Sequence, residues 1–151
     1  MKKVVLTRSA VLLVCGGAIY CCIELLYRRR THISMFALGG VCLLLIDALC
    51  NRTKVIYRSI LVIKLFVGSA AVTLCEFLTG VVVNLWLKLG VWDYSGLPFN
   101  LLGQICPYFS AAWAVLTYPA ILIANLISRC VERMFSPRGR TDPLSAENAG
   151  L

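Results

Sequence analysis

Val91-Trp92-Asp93-Tyr94-Ser95-Gly96-Leu97-Pro98-Phe99-Asn100-Leu101-Leu102-Gly103-Gln104 interrupts two long apolar runs. Asp93, Ser95, Gly96, Pro98 and Asn100 are turn formers, and Trp92 and Tyr94 are amphipathic rings of the kind enriched at the headgroup level of a membrane. The stretch therefore reads as a loop held at a membrane surface, with apolar helices hanging from both of its ends. Trp92, Asp93, Tyr94 and Ser95 are expected to set that loop, the two rings as interfacial anchors and Asp93 with Ser95 as an Asx-type turn. The fold class that follows is all-α, a polytopic transmembrane helical bundle of about four spans.

Composition supports this. The chain is 60% hydrophobic with a mean hydropathy of +0.83, above the roughly 45–50% apolar fraction of soluble domains. Apolar runs of roughly 17–25 residues recur, each long enough to cross a hydrocarbon core about 30 Å thick. Residues 1–128 read as one transmembrane domain and residues 129–151, rich in Pro, Gly, Ser and mixed charge, as a disordered cytosolic tail. The net charge of +8 comes from Lys and Arg lying between and beyond the apolar runs, which is a topological pattern and not a nucleic-acid stripe. Eight cysteines and one histidine without C-x-x-C spacing give neither a disulfide scaffold nor a zinc site, so no metal and no cofactor is expected. The start, Met1-Lys2-Lys3 before an apolar run, imitates a signal peptide. Bulky Val14 and Tyr20 stand where a cleavage site wants small residues, so the segment is expected to stay as a first helix.

The run VWDYSGLPFNLLGQIC at residues 91–106, with Glu76-Phe77-Leu78-Thr79-Gly80 before it and Ile23-Glu24-Leu25-Leu26-Tyr27 and Arg30-Thr31-His32-Ile33-Ser34-Met35 further upstream, resembles the ABC-transporter type IV permease-like family of small bacterial multi-pass membrane proteins. The likeness runs from about Gly16 to Arg133 in the same order and spacing. It implies a permease-like protein of the bacterial inner membrane and leaves the substrate open. Two positions depart from the family pattern: Arg29 stands where that pattern has glycine, and Pro107 follows Cys106 where an apolar residue is expected.

The four expected spans cover about Ser9–Leu26, Ile33–Leu49, Ser59–Leu87 and Leu101–Ser128. The second carries the flexible pair Gly39-Gly40 and needs neighbours to stay ordered. The third would reach roughly 43 Å and must tilt, project or bend. The fourth is expected to kink at Pro107 and Pro119 or to begin as a partly re-entrant segment, with Asn100 as its cap. Ten Lys and Arg on one side against four on the other predict both termini in the cytoplasm and the Trp92 loop outside, although Arg28, Arg29 and Arg30 then lie on the less basic side.

Intramembrane carboxylates carry the functional expectations, because such a group generally faces a partner or a water-filled cavity. Glu76 is the sharpest, with Gly80 and Asn84 following on nearly one helical stripe. It lines a polar path, or else it glues two helices. Asn100 and Gln104, one turn apart, are expected to converge on Glu76. Glu24 and Asp47 lie near span ends, Glu24 with Arg28 at i+4 as a helix ion pair. Arg28, Arg29, Arg30 and His32 form a possible lipid-headgroup or anion contact, or a solvated topological flank. Ala120, Ala124 and Ser128, spaced by four, make a small-residue seam for helix packing or self-association.

The sequence lacks a G-x-x-x-x-G-K-[ST] phosphate loop, H-E-x-x-H and G-x-S-x-G, so ATP hydrolysis would have to come from a separate ATPase subunit. The expected function is a permease-like membrane subunit of a transporter, not an enzyme and without nucleic acid among its partners. It would sit in the lipid bilayer as a homo-oligomer, since four short spans leave little room for a closed pathway. The alternatives are a non-transporting assembly or regulatory protein, and a lipid-modifying enzyme using Glu24, Arg28, His32 and Asp93.

Overall fold

The computed structural model describes residues 2–135, which contain five α-helices. They are α1 (Lys2–Arg28), α2 (Ile33–Ile46), the short α3 (Lys54–Arg58), α4 (Leu61–Gly80) and α5 (Pro107–Phe135). Two of them widen at their C-terminal ends into turns of i to i+5 hydrogen bonding, Asp47–Arg52 after α2 and Val81–Trp86 after α4. With these extensions α1, α2, α4 and α5 are four helices long and apolar enough to cross a membrane. The described residues contain no strand, and the protein is a membrane helical bundle.

The backbone of α1 lies directly against that of α2. A Cβ on Gly16 would stand 2.6 Å from the Gly39 carbonyl oxygen, and one on Gly17 would stand 2.6 Å from that of Phe36. Lipid tails are as apolar as leucine, so helices associate in a membrane through close packing, and small residues permit it. The pair Gly39-Gly40 is thus a contact surface for Gly16 and the Leu13 carbonyl, where flexibility was the sequence expectation. Tyr20, Met35, Leu38, Cys42, Ile46, Cys50, Val72, Trp92 and Ile121 form the main core. Leu12, Leu43 and Ala124 form a second cluster toward the termini.

Several boundaries differ from expectation for local reasons. The fourth span starts at Pro107, where the missing N–H is harmless in a first turn, and helix α5 continues through Pro119 to Phe135. Residues 101–106 form turns, with Leu101 N–H donating to the Ile105 carbonyl at 2.9 Å. Asn100 therefore does not cap α5. Its Oδ1 accepts from Gly103 N–H at 2.9 Å and its Nδ2 donates to the Leu97 carbonyl at 2.8 Å, which closes the loop on itself. The seam Ala120, Ala124 and Ser128 is used within the chain: Ala124 is fully buried in the second cluster and Ser128 bonds Asp47. Arg129–Phe135 of the expected tail are helical, and residues 136–151 lie outside the described residues.

The turn after α1 explains one departure from the family pattern. Arg29 has φ 57°, a left-handed conformation that glycine adopts freely and that costs other residues roughly 1–2 kcal/mol. Replacing Arg29 by Gly should accordingly stabilise the protein by about 1 kcal/mol. Gly39→Val, by contrast, should destabilise it by roughly 1–3 kcal/mol through overpacking against Tyr20 and Gly16. Unfolding in mild detergent titrated with a denaturing one reads both, and a neutral Gly39→Val would contradict the close α1–α2 contact.

Candidate functional site

Two polar centres occupy opposite ends of the bundle. The first is built by the loop of residues 87–106, which folds inward. Trp92 is 3% exposed, and its indole N–H donates to the Gln104 carbonyl at 3.0 Å. The expectation of Trp92 as a headgroup anchor therefore fails, because its one donor is satisfied inside and its ring fills the core. Gly80 makes room: a Cβ there would lie 3.0 Å from the Trp92 ring. Asp93 Oδ1 accepts from Ser95 N–H at 2.8 Å, which is the expected Asx-type turn. That bond and the Ser95 side chain hold the exposed Asp93 carboxyl below its usual range.

Tyr94 turns from the loop into the bundle. Its phenol donates to Glu76 Oε1 at 3.0 Å, and the Trp113 indole of α5 donates to Glu76 Oε2 at 2.9 Å. Glu76 is 2% exposed. Burial, and then the neighbouring Glu76, raise the Tyr94 phenol well above its ordinary range, so it remains a proton donor. Gln104 does not reach Glu76 as expected. Its side-chain oxygen accepts from Asn84 Nδ2 at 2.9 Å, and Asn84 Oδ1 accepts from Val91 N–H at 2.7 Å, so this amide pair fastens the loop to the end of the α4 extension.

Glu24 pairs with Arg28 one turn later and accepts from the Thr31 hydroxyl at 2.9 Å. Arg28 also donates to the Val91 carbonyl at 3.1 Å. The helix pair foreseen at i+4 exists and is part of a tie between the turn after α1 and the loop after α4. His32 is a helix cap: its ring nitrogen accepts from Ser34 N–H at 3.2 Å. Arg29 and Arg30 are exposed, the arrangement of a flank that meets water or headgroups.

The second centre was not assembled from sequence. Asp47, 2% exposed, accepts from Arg52 Nε at 2.8 Å and Ser128 Oγ at 3.3 Å and lies 3.6 Å from Arg8 Nε. Asn51 donates to Asp47 and accepts from Asn125 at 3.1 Å. Arg8 of α1, Asp47 after α2 and Ser128 of α5 are thereby clasped at the end that carries the termini. Arg8 carried no site role in the sequence reading. A cation inside an apolar run, which needs a partner within the bundle, was the available signal. Asp47→Asn leaves two arginines beside a neutral amide and should cost roughly 3–5 kcal/mol in detergent unfolding; a loss below about 1 kcal/mol would mean the clasp is a surface pair.

No curated protein and no solved structure matches the chain at a significant level. A family model does, over residues 6–140, covering the Glu76 and Asp47 centres and the loop of residues 87–106. With four apolar helices and this match, the chain belongs to the family described as "Putative ABC-transporter type IV".

Proposed function

We propose that this chain is a permease-like membrane subunit of a transporter whose ATPase is a separate polypeptide. The observation that carries the reading is Glu76: a carboxylate buried between spans and held by a loop residue and by a residue of another helix. Such a group is costly within a membrane and generally marks a path or a relay. Loop and helix each supply one donor, so any movement of the loop changes the environment of the charge. Glu24, Asn84 and Gln104 extend the polar seam on the loop side, while Asn100 shapes the loop itself.

The protein works as a homo-oligomer in the bacterial inner membrane with both termini cytoplasmic. Ten basic residues on the terminal side support that orientation. A cavity of about 140 Å3 within one chain is lined largely by apolar side chains, which supports a pathway formed between copies. The second reading is an assembly or regulatory subunit, favoured by the loop's many bonds to its own backbone.

Purification of the tagged protein from its native membrane in mild detergent should recover a stoichiometric ATPase. Glu76→Gln should keep that assembly and abolish solute flux after reconstitution in liposomes. Recovery of the chain alone would sink the proposal. An intact function in Glu76→Gln would favour the regulatory reading instead.

A further inference from the structure

Three carboxylates are buried among the spans, and two have cations beside them. Glu24 has Arg28, and Asp47 has Arg8 and Arg52. Glu76 has no Lys, Arg or His within ion-pair distance among the described residues. Arg28 is engaged by Glu24 and the Val91 carbonyl. Both Glu76 oxygens accept hydrogen bonds, which suits an ionised carboxylate and fills only two of its roughly four lone-pair positions.

Two aromatic side chains, Tyr94 and Trp113, donate to this group, and each stacks on a second ring. Tyr20 and Trp113 stack at 5.4 Å between centroids, and Tyr94 and Phe109 stack at 4.4 Å. Ring faces attract cations, most strongly where water is excluded. Trp113 and Tyr20 also line the cavity of about 140 Å3, together with Val72, one helical turn before Glu76. An apolar cavity of about 150 Å3 accommodates benzene. Ile19 of α1 and Pro119 of α5, on the cavity wall, are also exposed on the outer surface of the bundle, which faces lipid in a membrane. Hard metal ions need six or more oxygen ligands, whereas this site offers one carboxylate among rings.

We propose that Glu76, the Tyr20–Trp113 stack and the Tyr94–Phe109 stack form a binding site for a lipophilic organic cation. The ammonium head lies against the Glu76 carboxylate and the ring faces, and the apolar body occupies the cavity, reached from the lipid between α1 and α5. The site names the substrate class of the permease and rests on that reading for its transport role; the binding itself does not depend on it.

The test is calorimetric titration of the full chain in mild detergent with benzyltrimethylammonium, and with neutral benzyl alcohol as the uncharged comparison. The cation should bind saturably, at one per chain and at least roughly tenfold tighter than the alcohol. Glu76→Gln should weaken the cation by a similar factor and leave the alcohol unchanged. Absence of saturable cation binding, or equal affinity for the two probes in the unaltered chain, would overturn the proposal whether or not the Gln variant folds. Because no flux or ATPase is involved, such a failure leaves the permease reading standing. Loss of the ATPase partner with binding retained would remove that reading alone.

Discussion

The two hydrogen bonds on Glu76 tie together parts of the chain that lipid would otherwise keep apart. Hydrocarbon offers no partner to a carboxylate, a phenol or an indole N–H, so each must be satisfied by protein. Tyr94 brings the loop and Trp113 brings α5 to the same residue of α4. Once they meet, Trp92 is drawn beneath the loop and its indole bonds the Gln104 carbonyl. The Asn84–Gln104 amide pair then closes the gap at the end of α4. The loop is therefore an inner wall of the bundle, although its composition is that of a surface connection.

The same economy governs the other end. Asp47 follows α2 within a widened turn, and Asn84 lies in the corresponding widened turn after α4. One extra residue per turn shifts the face on which later side chains project, and such insertions recur at functional sites. In this chain each one aims a polar side chain into the bundle at the depth where the apolar packing ends. Asp47 thus meets Arg8, Arg52 and Ser128, which come from three different parts of the sequence.

Most of the architecture was legible because hydrophobic length in a membrane protein is nearly a direct reading of the spans. Glu24 with Arg28, and Asp93 with Ser95, were legible because their partners are four and two residues away. The loop's inward course was not, since Trp92 and Tyr94 suit an interface and a core equally well. Only tertiary contacts with Gly80 and Glu76 decide between them. The end of Asn100's role as a helix cap has a similar cause: the helix it would cap begins at Pro107, and nothing local distinguishes that start from one at Leu101. Arg8, Asn125 and Ser128 were not brought together from sequence because their partners, Asp47 for Arg8 and Ser128 and Asn51 for Asn125, are distant in the chain.

The glycine contact between α1 and α2 has a consequence for biosynthesis. All four glycines involved lie within the first 40 residues, and a turn of only a few residues joins the two helices. The pair can enter the membrane and lock as a hairpin while the later spans are still being made, as helices that are individually stable in lipid associate afterwards. Arg28 waits longer for its full set of partners, because the Val91 carbonyl is supplied only when the third span and its loop arrive. Asp47 waits longest, for Ser128 near the end of the described chain. Assembly is thus ordered from the chain's beginning, with the late-emerging half completing charges that the early half has already placed.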